Sequence, residues 1–399
     1  MTAIADQTGT AVTAALRTID ANIAEFGDRY PDDTTVDDRY RPRPANTGWT
    51  TSFWPGMLWL AHDLTGDETY REAASAHVRS FVERVDQEID LDTHDLGFLY
   101  TLSCVTAWRR TRDPEAKRAA LSAADHLMRR VLPSAGIIQA WGDLADPRQQ
   151  GRTIVDSLMN TPLLFWASRT SGDPRYAAAA RRHAAQLRDH ILRPDDTTYH
   201  TFYWDPVTGA PLRGETEQGS ADESCWARGQ AWGIYGFTLN HQHTGDPTLL
   251  RAAIRCADYF LAHLPPDGVA YWDLIFTSPA ATSLSPTSSA TAFLSSTSSL
   301  AVEERDSSAA AIAVNGLLEL AAFVPPSLAD HYRSSAGRIL RSLIDGYSTL
   351  DVPGSNALLL HGVYDKPKAV GVDEGNLWGD YFYLEALARV TRPGWTHPW

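Results

Sequence analysis

Two kinds of apolar pattern alternate along the chain. In AVTAALRTIDANIAEF, YREAASAHVRSFVERV, EAKRAALSAADHLMRRV, RYAAAARRHAAQLRDHI, TLLRAAIRCADYFLAHL and LADHYRSSAGRILRSLI, apolar residues return every three or four positions and the remainder are mostly charged. That spacing predicts amphipathic helices with one wet face. Four of them follow a short turn signal, at Thr65–Glu68, Thr111–Pro114, Ser171–Pro174 and Thr244–Pro247, and a fifth follows Pro325-Pro326. In these signals Asp or a neighbour suits the helix cap and Pro suits the first helical position.

Between them lie TTSFWPGMLWLAHDL, HDLGFLYTLSCVTAW, TIVDSLMNTPLLFWA, ESCWARGQAWGIYGF, DSSAAAIAVNGLLEL and EGNLWGDYFYLEALA. These are apolar and aromatic on nearly every side, as helices packed on all sides must be. The pattern predicts one buried helix over Thr153–Arg169, with Asp156 near its start and Asn160 a turn later on the same face. A lone ionised carboxylate is costly to bury, so Asp156 is a candidate site residue. The plainer reading is an acid favoured by the positive end of a helix dipole.

Six interior helices alternating with six amphipathic ones predict an all-α fold, an (α/α)6 barrel or six-hairpin toroid. A helical solenoid would give the same alternation, so ring closure is inferred from the count alone. In a closed double ring the interior helices run parallel and their N-terminal ends share one rim. There the sequence places His94, Asp95, Asp156, Arg228, Gln230, Asp306, Ser307 and Asp380, with Trp49, Trp54, Trp141, Trp226, Trp232 and Trp378 beside them. The chain has 13 tryptophans in 399 residues, a high count whose plainer reading is that most fill the core, although the gathering of so many at one rim points to a site. Flat rings beside hydrogen-bonding groups suit a sugar.

Composition narrows the reading. With 43% hydrophobic and 21% charged residues the chain is that of a globular protein with a large core, read as one domain over residues 1–399. The stretch 277–302, TSPAATSLSPTSSATAFLSSTSSLAV, has no helical period and reads as a disordered Ser/Thr-rich insertion with no part in catalysis. A net charge of −14 argues against a nucleic-acid partner. No stretch approaches a membrane span, and the N-terminus lacks a secretory pattern. Cys104, Cys225 and Cys256 have no metal-type spacing and fit reduced thiols in a cytoplasmic protein.

Taken in order, NTGWTTSFWPGMLWLA, HDLGF, DSLMNTPLLFWAS, HTFYWDP, SCWARGQAWGIYGF, RDSSAAAIA and WGDYFYLEAL resemble the unsaturated glucuronyl hydrolases of glycoside hydrolase family 88. The similarity runs from about Asn46 to near the C-terminus. It implies an (α/α)6 barrel that removes a 4,5-unsaturated uronic acid from the non-reducing end of lyase-made oligosaccharides. It also implies Asp156 as the catalytic acid/base, Asp95 as its companion, and Trp49 and Trp232 as stacking platforms. His94, Trp141, His200, Gln218 and Arg228 would line the pocket.

The chemistry agrees with this residue set. Hydrating the enol ether needs a proton at C4 and water at C5, which carboxyl groups supply with neither metal nor cofactor. Arg228 would neutralise the substrate carboxylate with a forked contact, or else form an ion pair inside the barrel. Members acting on sulfated sugars share a late loop with two serines and a lysine. Here the loop reads HGVYDKPKAVGVDEGN, with Lys366 and Lys368 but no serine, which counts against a preference for sulfated sugars. An unsaturated rhamnogalacturonyl hydrolase would share fold and chemistry with other pocket residues. A sugar epimerase would want a facing pair of bases, usually His, and a non-catalytic sugar binder would need no paired acids. The sequence leaves the oligomeric state open.

Overall fold

The structure is a computed structural model and describes residues 2–277 and 303–399. Among these, the first-pattern stretches form the outer helices α1 (Thr2–Phe26), α3 (Glu68–Asp86), α6 (Pro114–Arg129), α8 (Pro174–His190), α10 (Pro247–Ala262) and α12 (Pro326–Gly346). The second-pattern stretches supply α2 (Phe53–Thr65), α4 and α5 (Leu96–Tyr100 and Thr106–Thr111, joined by a π segment), α7 (Thr161–Ser171), α9 (Ala227–Thr244), α11 (Ser307–Leu320) and α13 (Leu377–Thr391). Each of α3, α6, α8, α10 and α12 packs on the interior helix that precedes it in the chain, and α1 packs on α13 and α2. The interior helices touch in sequence order and α13 returns to α2, so the ring is closed and a solenoid is excluded.

The turn signals work as capping chemistry. Asp67, Asp113, Asp173 and Asp246 accept hydrogen bonds from the backbone N–H two residues on, at 2.8–2.9 Å, which satisfies a donor that the helix start leaves open.

Two interior elements differ from expectation. The stretch Thr153–Arg169 is not one helix. Arg152–Ile154 is a strand paired with Thr201–Trp204, Val155–Met159 is a single tight 3-10 turn, and α7 begins only at Thr161. Pro162 fits the first turn of α7, where no backbone N–H is needed. Asp156 therefore stands on a short turn after a strand rather than in the first turn of a long helix, and a macrodipole contributes little to it. The second interior helix is also interrupted, by the π segment Thr101–Val105, where the Thr106 hydroxyl donates to the Thr101 carbonyl at 2.8 Å. Such bulges recur near functional sites.

The insertion read at 277–302 lies outside the described residues except for Thr277, whose hydroxyl donates to the carbonyls of His263 and Leu274. No helix among the described residues is long and apolar enough to cross a membrane.

Candidate active site

Two acids far apart in sequence meet because two interior elements approach unusually closely at their N-terminal ends. A Cβ on Gly97 would run into the backbone of Asn160, so only glycine allows this contact. The Asn160 side chain seals it by accepting the Phe98 N–H at 2.8 Å. Asp95 lies just before Gly97 and Asp156 just before Asn160, so the contact carries both carboxylates to one place. His94 stands between them, its Nε2 3.3 Å from an oxygen of each. The Thr93 hydroxyl donates to Asp95 Oδ2 at 2.8 Å and fixes that carboxylate from the other side.

The acids open onto a cavity of about 600 Å³ at the rim formed by the N-terminal ends of the interior helices. Of the expected residues, Trp49, Asp95, Trp141, Asp156, His200, Gln218, Arg228 and Trp232 line it. His94 does not reach its surface: it is wholly buried behind the two acids. Among the rim tryptophans, Trp226 joins the lining, whereas Trp54 packs on Phe26 in the core and Trp378 backs Trp49 with ring centroids 5.0 Å apart. Other polar residues read at the rim hold structure. Asp306 caps α11 through Ser308 and Ala309, Gln230 binds Thr198 and the Asp196 carbonyl, and Asp380 accepts from Leu359 N–H and the Tyr40 hydroxyl.

Burial raises the proton affinity of Asp156 above the ordinary carboxylate range. His94 opposes this through its hydrogen bond and charge, and the neighbouring Asp95 charge adds to it. Asp95 is thus a lesser influence than burial, and His94 is the main counterweight. Burial alone would depress the imidazole, but the two carboxylates outweigh it and raise His94. His200 is pushed down to about 3 by burial and by Arg228, Lys368 and Arg152, so it is neutral. Its Nδ1 accepts the Glu217 N–H at 2.9 Å, which leaves the proton on Nε2 as a donor.

Of the two roles expected for Arg228, the structure shows the ion pair inside the barrel. Its guanidinium is buried, paired with Asp306 at 3.0 Å, and donates to Gln218 Oε1 and to the carbonyls of Val363 and Tyr364. Its fork is spent inside the barrel, where it braces Gln218 and the hairpin 362–374. Two further cations line the cavity: Arg152, which the sequence reading did not single out, and Lys368, one of the two lysines of the late loop. Arg152 lies over the Trp141 ring at 4.1 Å and has a buried Nε without a partner. Lys368 Nζ meets Asp365 at 2.8 Å. Tyr364, which accepts from Trp49 Nε1 at 3.0 Å, and Glu217 were missed as well. Arg152 stands directly before TIVD and Tyr364 inside HGVYD, so position beside a recognised motif was the available signal. His94, Asp95 and Asp156 offer three ligand atoms within 4.8 Å of one another, a set able to hold a metal ion.

Acids, a neutral histidine donor and four tryptophans around one cavity define a carbohydrate site. The chain belongs to glycosyl hydrolase family 88, whose model matches residues 19–314. It is 44% identical to an unsaturated glucuronyl hydrolase of Bacillus sp. strain GL1 over 96% of this chain and 96% of that protein. It is 43% identical to an unsaturated chondroitin disaccharide hydrolase of Streptococcus pyogenes serotype M1, over 98% of this chain and 92% of that protein. The crystal structure of an unsaturated glucuronyl hydrolase from Streptococcus agalactiae superposes with a TM-score of 0.89 at 40% identity, covering 99% of this chain and 94% of that one.

Proposed function

We propose that this protein hydrates the C4=C5 double bond of a 4,5-unsaturated uronic acid at the non-reducing end of lyase-derived oligosaccharides. The observation that carries this reading is Asp156: an acid with raised proton affinity, held against His94 in a tryptophan-lined cavity. Asp156 gives its proton to C4 while positive charge develops at C5 and the ring oxygen. The resulting carboxylate draws the proton from the water that attacks C5, which restores the acid. The hemiketal opens, the ring oxygen leaves C5, and C1 becomes an aldehyde as it expels the remaining sugar. Asp95 is the companion that, with His94, tunes and holds Asp156. Trp49 and Trp232 stack on the sugar, and Trp141, His200 and Gln218 complete the pocket, with Arg228 holding Gln218 in place.

Asp365 and Lys368 face the cavity as a bonded pair, which supports an unsulfated sugar next to the uronide. We read residues 1–399 as one catalytic domain, supported by helices from both ends of the chain closing a single ring. The unpaired, buried Cys104, Cys225 and Cys256 support a reducing, cytoplasmic setting, and the net charge of −14 supports a protein without a nucleic-acid partner.

Incubation with mixed polysaccharide-lyase products tests the reading. Loss of the enol-ether ultraviolet band together with release of a new reducing sugar is expected, and saturated disaccharides of the same sequence should persist. Cleavage of saturated and unsaturated substrates alike would overturn it.

A further inference from the structure

After α13 the chain turns back under the barrel and threads a tryptophan up its axis. Three side chains at the C-terminal ends of interior helices anchor this stretch. Trp395 Nε1 donates to Asp63 at 2.8 Å, His397 Nε2 lies 3.3 Å from Glu319, and Arg109 donates to the Pro398 carbonyl. Beyond them Trp399 is 4% exposed, and its Nε1 donates to the fully buried Glu385 at 3.1 Å. Its ring stacks on Phe382, with centroids 5.9 Å apart and planes 13° from parallel, and meets Phe98 edge-on at 5.8 Å.

Phe98 and Phe382 are the underside of the sugar site. Phe98 lies 5.4 Å from Trp232 and 5.8 Å from Trp49, and Phe382 lies 5.3 Å from Trp232. The two phenylalanines thus have a cavity tryptophan on one side and Trp399 on the other. The aromatic layers run without interruption from the cavity floor to the anchored stretch. Packed interiors transmit a void to their neighbours rather than absorb it.

We propose that Trp399 is a positioning residue for the stacking floor. By filling the axis beneath Phe98 and Phe382 it sets the height and tilt of Trp232 and Trp49, and through them the seat of the unsaturated sugar. This rests on the function proposed above.

The test is steady-state kinetics on an unsaturated uronide disaccharide, well below the melting temperature. Trp399→Ala is expected to raise KM about tenfold, the equivalent of one lost aromatic contact, with kcat changed less and the pH profile unmoved. Trp399→Phe, which keeps a ring in the axis, should recover most of the loss. Trp395→Ala removes an anchor farther from the floor and should lower Tm while leaving KM alone. If Trp399→Ala does not fold, Trp399→Leu carries the same comparison. A Trp399 variant with lowered Tm and unchanged KM would reduce the residue to a structural plug and overturn the proposal. An equal rise of KM in Trp395→Ala would do the same. Wild-type protein that leaves the disaccharide intact would instead sink the function reading, and this inference with it.

Discussion

At the level of single residues, the site depends on Asp156 and on the two neighbours that act on its carboxyl, His94 and Asp95. Burial lifts Asp156, the Asp95 charge lifts it further, and His94 pulls it down. A general acid works only while protonated, so with Asp156 in its proposed role activity is expected to fall as pH rises through its raised value. Asp95→Asn removes a like charge and should move the descending limb of the pH–rate profile to lower pH. His94→Gln removes the opposing bond and charge and should move it to higher pH. Opposite shifts in the two variants, measured with Tm in parallel, identify electrostatic tuning. Unmoved limbs with lowered Tm would make both residues structural. Asp156 was legible as a candidate because a carboxylate in an apolar stretch is conspicuous, whereas the pairing with Asp95 came from the family resemblance. For Arg228 the sequence offered an internal ion pair as one of two roles but could not choose it, because the partners Asp306, Val363 and Tyr364 come from segments remote in the chain.

At the level of elements, the alternation of one-sided and all-round apolar patterns was legible, since a helical period records which faces meet water. The break inside Thr153–Arg169 was hidden. The strand Arg152–Ile154 exists because Thr201–Trp204, across α8, offers it a partner, and an apolar run reads the same in either state. The close approach at Gly97 was equally hidden, since the sequence shows a glycine but not what it admits. Gly97→Ala is expected to cost about 1–3 kcal/mol through overpacking against Asn160. It should also lower turnover more than ten-fold, because Asp95 and Asp156 are set apart. Denaturant melts and kinetics on the same preparation check this. Full activity at wild-type stability would show that the two elements tolerate separation.

At the level of the whole molecule, ring closure brings loops from both halves of the chain to one rim, and one buried acid there links closure to pH. Burial raises Asp380 to about 7, against the hydrogen bonds from Leu358, Leu359 and Tyr40. Its folded value lies above the unfolded one, so its contribution to stability is full below the ordinary carboxylate value and is lost as pH rises through about 7. Wild-type Tm should therefore fall between pH 5 and pH 8, and Asp380→Asn, which keeps an acceptor for Leu359, should flatten that slope. An unchanged slope would assign the pH dependence to other groups.

The central claim is that Asp156 delivers the proton that starts hydration. The most direct measurement is the rate at which wild type and Asp156→Asn erase the enol-ether ultraviolet band of one purified unsaturated disaccharide, with circular dichroism and Tm recorded for both. Matching folds and a rate lowered at least about 10²-fold are expected, the usual worth of a positioned general acid. A well-folded Asp156→Asn protein that keeps a tenth or more of wild-type turnover, on the order of one residue's marginal help, would contradict it.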